Sequence, residues 1–187
     1  MISNAILEAL KRAIKVMEKE DVDYCLFGGL AMQVYKRIRA TRDVDLMATV
    51  NKKKITNFIS RMEKAGFKFD RKKGTVRIRD FELLRFIYAD EALGLEIFVD
   101  LVTTTTEFQK IVLLRKQRLD FLGVAVNIAS CEDLILLKIL GNRPIDIADA
   151  QGLIEENIKD LNKIYLGKRA KELGVDRTLE RLLKENA

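Results

Sequence analysis

Hydrophobic and polar positions along this chain switch between a period near 3.6 and a period of two, and the switches mark out its elements. Residues 3–20 place Ile6, Ala9, Leu10, Ala13, Ile14 and Met17 on one stripe, which predicts an amphipathic helix. Residues 22–27 form a short apolar run stopped by Gly28-Gly29, the pattern of a buried strand ending at a glycine turn. Helical spacing follows over 30–38, a strand over 44–50, and an amphipathic helix over 54–64 that ends near Gly66. Three β-rich stretches, 66–70, 75–79 and 83–88, precede a strand over 95–102 introduced by Gly94. In that strand Glu96, Phe98 and Asp100 alternate with Ile97, Val99 and Leu101, so Glu96 and Asp100 share one face. Residues 106–119 read as a helix and 124–128 as a short strand. Ser130 opens the next helix, with Asp133 three residues on as a capping-box-like partner. The remainder is helical, with breaks at 141–144, near Gly167 and at Gly174. The expected architecture is α/β (α+β): a mixed sheet flanked by helices over residues 1–129, then a C-terminal helical subdomain over 130–187 packed on it.

Composition then removes whole classes of function. The 187 residues suit one domain, and 48% hydrophobic with 33% charged residues supplies a core and excludes a disordered chain. No apolar run approaches the roughly 20 residues that span a bilayer, and the run 135–140 is broken by Lys138. Lys11, Arg12, Lys15 and Lys19 fall inside the first amphipathic pattern, with no uninterrupted apolar segment before them, so no secretory leader is expected. Cys25 and Cys131 match no metal or redox spacing and read as two buried, reduced thiols, a single disulfide being the alternative. Together these features predict a cytoplasmic protein without a membrane partner. Histidine is absent, which removes Ser-His-Asp and Cys-His chemistry, histidine bases and histidine metal sites. The net charge is +6, with basic residues concentrated between Lys52 and Arg85: Lys52, Lys53, Lys54, Arg61, Lys64, Lys68, Arg71, Lys72, Lys73, Arg77, Arg79 and Arg85. That run reads either as a solvated face or as a surface for nucleic acid or another polyanion.

The chemistry is carried by Phe27-Gly28-Gly29-Leu30-Ala31 and Arg39-Ala40-Thr41-Arg42-Asp43-Val44-Asp45-Leu46. Glycines at a strand end permit close backbone approach, and the start of the following helix offers free N–H groups to a phosphate. In the next strand, alternation sends Asp43 and Asp45 to one side and Val44 and Leu46 to the other. Two carboxylates held so close repel each other unless a cation lies between them, and carboxylate oxygens suit Mg²⁺ or Mn²⁺ bridging to phosphate. Asp100 on a later strand would complete a two-metal arrangement for in-line displacement at phosphorus. The plain alternative is a pair of solvated residues on a strand edge. Neither a Walker-type nor a Rossmann-type glycine motif occurs.

This pattern resembles the signature of the DNA polymerase β-like nucleotidyltransferase superfamily: an apolar residue, Gly-Gly or Gly-Ser, a spacer, Asp-apolar-Asp-apolar, and a third Asp on a later strand. The lead-in Arg39-x-Thr41-x-Asp43 is similar to the small prokaryotic branch that includes abortive-infection-type toxins. Asp133-Leu134, Lys138, Arg143, Asp146 and Asp149 are similar to that branch's C-terminal pattern, so the resemblance covers residues 22–157.

The resemblance implies a nucleotidyltransferase-like fold and a set of roles. Gly28 and Gly29 would cradle the triphosphate, Asp43 and Asp45 would hold both metals, and Asp100 would ligate the catalytic metal and help activate the attacking hydroxyl. Lys138 would reach the phosphates, and Asp146 would orient Lys138 or the nucleotide. Gly29 stands where the family often has Ser, which removes one hydroxyl contact to phosphate. Arg39, Thr41, Arg42 and Arg143 are candidates for the nucleotide and its phosphates. In a plainer reading Arg39 and Arg42 pair with Asp43 and Asp45, while Arg143, Asp146 and Asp149 form an ion-pair cluster at a helix start.

The expected activity is metal-dependent transfer of a nucleoside monophosphate from an NTP to an acceptor hydroxyl, with release of pyrophosphate. RNA or tRNA, a protein hydroxyl or a small molecule would be the acceptor, and the toxin-like resemblance implies an antitoxin partner. The alternatives are a non-catalytic nucleotide- or RNA-binding module and a two-metal phosphodiesterase or nuclease.

Overall fold

A computed structural model describes residues 4–69, 75–78 and 81–185. Its elements run α1 (Asn4–Lys19), β1 (Tyr24–Phe27), α2 (Gly28–Val34), β2 (Asp43–Ala48), a 3₁₀ turn (Lys52–Lys54), α3 (Ile55–Lys64), β3 (Phe67–Phe69), β4 (Thr75–Ile78), β5 (Phe81–Asp90) and β6 (Leu95–Thr103). They continue with α4 (Glu107–Leu114), β7 (Gln117–Phe121), β8 (Val124–Ile128), α5 (Cys131–Gly141), α6 (Pro144–Asn157), α7 (Lys163–Glu172) and α8 (Asp176–Lys184). The strands form one mixed eight-stranded sheet in the order β3-β5-β6-β2-β1-β8-β7, with β4 also paired to β5.

Register explains how the sheet gathers its carboxylates. Strand β1 runs antiparallel to β2 and sets Phe27 opposite Asp45, so the glycines that follow Phe27 arrive beside the acidic end of β2. Strand β2 runs parallel to β6 and sets Asp45 opposite Asp100. Strand β5 pairs antiparallel with β6 and sets Arg85 opposite Asp100. Paired residues in neighbouring strands share a face, so Asp45, Asp100 and Arg85 project to the same side. The opposite face is apolar: Val44, Leu46, Val99, Leu101, Leu84 and Phe86 are all fully buried. Phe58 of α3 packs edge-on to Phe86 at 6.3 Å, and α1 crosses β6 and β2. The helical stripe expected in α1 is buried from Ala5 to Met17.

Several expected boundaries move, each for a local reason. The helix expected over 30–38 starts two residues earlier and stops at Val34, where Lys36 takes a left-handed φ of +64°. The helix expected over 106–119 ends at Leu114, and residues 117–119 belong to β7 instead. Strand β7 forms a hairpin with β8 through Leu122 and Gly123, both at positive φ as a type I′ turn requires. Gly167 breaks nothing, since it lies within α7; the break falls between α6 and α7. Residues 70 and 79, expected at strand ends, lie outside the described residues.

The C-terminal helices join the sheet through a buried polar knot as well as a shared hydrophobic core. Ser130 Oγ donates to Asp133 Oδ2 at 2.7 Å and accepts from the Asp133 amide at 3.2 Å. Tyr165 of α7 donates its hydroxyl to Asp133 Oδ1 at 2.5 Å, and Arg115 donates to Oδ2 at 3.1 Å while stacking 3.6 Å from the Tyr165 ring centre. Satisfying a fully buried carboxylate from three elements fixes α5 and α7 against the sheet. Cys25 and Cys131 are both free and buried. Among the described residues, no helix is long and apolar enough to cross a membrane.

Candidate active site

The glycine turn is built around one carboxylate. Gly28 has φ +67°, and a Cβ there would overlap the carboxylate of Asp45. Only glycine permits both the backbone conformation and the approach. The Gly29 amide donates to Asp45, and a Cβ on Gly29 would lie 2.8 Å from Thr41 Oγ1. The Thr41 side chain, hydroxyl and Cβ alike, therefore occupies the space that a serine at position 29 would fill, which accounts for glycine in place of the superfamily's frequent Ser.

Asp45 is consequently the most strained charge in the site. Burial, then the nearby charges of Asp100 and Asp43, push its pKa up to about 6, against the partial relief of Lys138 and the Gly29 amide. Asp43 is raised by burial and by Asp100, with Arg85, Arg39 and Arg42 pulling the other way. Asp100 is nearly buried and is gripped by Arg85 with two hydrogen bonds, Nε to Oδ1 at 2.7 Å and Nη2 to Oδ2 at 2.6 Å. The Arg85 guanidinium also stacks 4.9 Å from the centre of the Phe98 ring, which neighbours Asp43 across the ladder. Glu96, on the same face as Asp100, is exposed near the start of β6.

A second cluster faces the first from α5 and α6. Lys138 is buried and lies between two buried carboxylates, 3.1 Å from Asp146 Oδ1 and 3.0 Å from Asp149 Oδ2. Arg143 forks onto Asp146 at 2.6 and 3.0 Å. Asp146 is penalised by burial, but hydrogen bonds from Arg143 and Lys138 hold its pKa below the usual carboxylate range. Arg39 donates to Asp149 Oδ2 at 3.1 Å, so it pairs with α6 and not with Asp43 or Asp45. Arg42 is exposed and reaches Asp43 only through its field. Two glycines permit this packing: a Cβ on Gly141 would lie 2.6 Å from Asp146 Oδ2, and one on Gly152 would lie 2.6 Å from Arg37.

Between the clusters lies a cavity of about 430 Å³. Gly28, Asp45, Asp100, Lys138, Arg143 and Asp146 are among the residues that line it. Phe27, Leu83, Val102, Leu134, Leu137 and Leu140 add apolar lining to the same cavity. The basic run expected as one surface is divided. Arg85 enters this site, Arg61 and Lys64 line a different groove, and residues 71–73 and 79 lie outside the described residues.

The donors fit a divalent cation in kind, since Asp45 carries the excess negative field that a hard cation relieves. They do not form a ready cage: among the described residues no three acidic or thiol side chains stand together as metal ligands. Arg85 occupies both oxygens of Asp100.

A mixed sheet that presents Asp-Val-Asp beside a Gly-Gly turn, with a third Asp on the neighbouring strand, defines a nucleotidyltransferase-like protein. The chain belongs to the family described as "Nucleotidyltransferase of unknown function (DUF6036)", which it matches over residues 5–180. No functionally curated protein matches it by sequence. Among solved structures it is similar to an antigenic nucleotidyltransferase-like protein from Paracoccidioides brasiliensis (TM-score 0.55, 20% identity, 98% of this chain and 94% of that one). It is also similar to the antibiotic-resistance factor ANT(2'')-Ia (0.59, 10%, 96% and 100%). A third neighbour is the lincosamide antibiotic adenylyltransferase LnuA in its lincomycin-bound form (0.51, 15%, 78% and 94%). These likenesses establish the fold.

Proposed function

We propose that the protein binds a nucleoside triphosphate with Mg²⁺ or Mn²⁺ and transfers the nucleoside monophosphate to an acceptor hydroxyl. The observation that carries this reading is the placement of Asp45, beside Asp43 and opposite Asp100, with its charge penalised by burial and by those neighbours. Asp43, Asp45 and Asp100 would hold the cation, which would supply charge neutralisation at the phosphoryl group. The chain's own residues do the rest by positioning and electrostatics. Lys138, fixed by Asp146 and Asp149, and Arg143, fixed by Asp146, present cationic heads to the phosphates. The acceptor oxygen attacks the α-phosphorus, the bond to the β-phosphate oxygen breaks, and pyrophosphate leaves. The hydroxyl proton passes to the carboxylate of Asp100.

RNA is the acceptor we favour, on the strength of the +6 net charge and a lysine-lined groove on the far side of the sheet. A small-molecule acceptor is favoured by one observation, the apolar residues that share the lining of the cavity. Two structural neighbours are an antibiotic-resistance factor and a lincosamide adenylyltransferase, so an antibiotic is the natural probe for that reading. The test incubates the protein with each labelled NTP and Mg²⁺, together with total RNA, lincomycin or tobramycin, and measures both label transfer and pyrophosphate. RNA taking the label supports the first acceptor, and a labelled antibiotic supports the second. Metal-dependent nucleotide binding with no pyrophosphate from any combination would make the protein a binding module.

A further inference from the structure

Arg85 is the residue in the site whose role neither the sequence pattern nor the proposed reaction accounts for. It comes from β5, outside both motifs, yet it makes the closest polar contacts of any side chain with the three acids, at 2.6 and 2.7 Å to Asp100. Its charge also acts on Asp43. Register fixes it there, since Arg85 and Asp100 are directly opposed in an antiparallel ladder. Its side chain retains 23% exposure against 12% for that of Asp100, which lines the cavity, so neither group is sealed from an incoming ligand. The Phe98 face supports the arginine from the side of Asp43.

We propose that Arg85 is a positioning residue that serves as a built-in counter-cation for Asp100, competing with divalent metal for that carboxylate and releasing it as the nucleotide's phosphates take over the guanidinium. The proposal rests on the reading of Asp43, Asp45 and Asp100 as metal ligands.

The physical reason is charge balance. Three neighbouring carboxylates repel one another unless a cation lies among them, and a bidentate guanidinium answers both oxygens of one of them. A metal that needs an Asp100 oxygen must break that fork. Metal alone therefore binds against a competitor, whereas a triphosphate offers the displaced arginine another pair of anionic oxygens for bidentate hydrogen bonding. Metal and nucleotide thus assist each other's binding by a single coupling, which is reciprocal.

Mn²⁺ binding, followed by electron paramagnetic resonance without nucleotide, tests this in the wild type, Arg85→Ala, Arg85→Lys, Asp100→Asn and the Arg85→Ala/Asp100→Asn double variant. Arg85→Ala is expected to bind Mn²⁺ about tenfold more tightly than wild type, with Arg85→Lys between them. The gain should vanish in the double variant. Thermal melting supplies a second readout: Mn²⁺ should raise the Tm of Arg85→Ala by more than that of wild type. Repeating the titration with ATP, CTP, GTP and UTP in turn should tighten wild-type Mn²⁺ binding about tenfold with the accepted nucleotide, and Arg85→Ala by clearly less. A merely structural arginine predicts the reverse for metal alone, with weaker binding in Arg85→Ala. Unchanged or weaker Mn²⁺ binding in Arg85→Ala, where Asp100→Asn lowers that of wild type, overturns the competition and leaves the metal site standing. If Asp100→Asn has no effect in any background, the metal-site reading fails and the competition falls with it.

Discussion

Two hollows in this molecule carry positive charge in opposite ways. In the cavity beside the acids and at its border the cations are matched: Arg85 to Asp100, Lys138 to Asp146 and Asp149, Arg143 to Asp146. Across the sheet, a groove of about 630 Å³ between α1 and α3 is lined by Lys11, Arg12, Lys15, Lys19, Arg61 and Lys64 against two acids, Glu8 and Glu20. Those acids are taken by Arg12 at 2.7 Å and Arg61 at 3.2 Å. Lys11, Lys15, Lys19 and Lys64 make no ion pair among the described residues. The comparison teaches where charge is set and where it is merely solvated. A buried cation without a carboxylate is too costly to keep, whereas lysines at helical spacing on an open face remain in water at little cost. The matched cavity can therefore hold charges in fixed geometry for chemistry, and the groove can only offer a diffuse field to a polyanion.

Substitutions that sharpen this contrast fall in a clear order. Asp45→Asn should produce the largest effect, a loss of at least about a thousandfold in nucleotidyl transfer, comparable to removing a central electrostatic group. Pyrophosphate release measures it. The same variant should gain stability at neutral pH. Because the folded-state pKa of Asp45 is raised to about 6, the native protein holds a proton that the unfolded chain has already released between about pH 4 and pH 6. Wild-type stability should therefore fall as pH rises through that window. Asp45→Asn should lack the fall and melt higher at pH 7, by something on the order of 1 to 2 kcal/mol.

Next comes Lys138→Met, which leaves Asp146 and Asp149 short of a cation in a buried setting. It should cost about 3–5 kcal/mol in chemical denaturation and weaken NTP binding by calorimetry. A third contrast lies in the glycine turn. Gly29→Ser should lower activity because the new side chain meets Thr41. Adding Thr41→Gly, which removes the Cβ as well as the hydroxyl, should recover much of the loss in the same assay, whereas Gly28→Ala should stay impaired with any partner because its φ is positive and Asp45 fills the space. The smallest effect belongs to the groove. Lys15→Ala with Lys19→Ala should change stability by less than about 0.5 kcal/mol and leave NTP affinity unaltered, while weakening RNA retention in a salt-dependent filter assay.

Much of the site was legible because it rests on short-range patterns. Strand, Gly-Gly, helix and Asp-Val-Asp follow one another within residues 22–46, and period two alone assigns Asp43 and Asp45 to one face. The face of β6 that carries Asp100 was legible for the same reason, while its place beside Asp45 came from the family resemblance and rests on the register between β2 and β6. The role of Arg85 was not, because it depends on a cross-strand register between β5 and β6 that no local pattern encodes. In the linear sequence Arg85 is one of twelve basic residues in a run. Arg39 shows the same limit: its neighbours in sequence are Asp43 and Asp45, but its partner, Asp149, lies 110 residues away. Strand β7 was misread because its polar edge residues follow a true helix without a glycine or proline between them, and the turn signal appears only at Gly123.

The central claim is that the three acids grip a cation that the nucleotide requires. Calorimetric titration of each NTP into wild-type protein and into Asp45→Asn, with Mg²⁺ and then with EDTA, tests it most directly. The account predicts binding of at least one NTP to wild type that is lost both in EDTA and in the variant, with the variant's fold intact by circular dichroism. Equal affinity in all four conditions would contradict it.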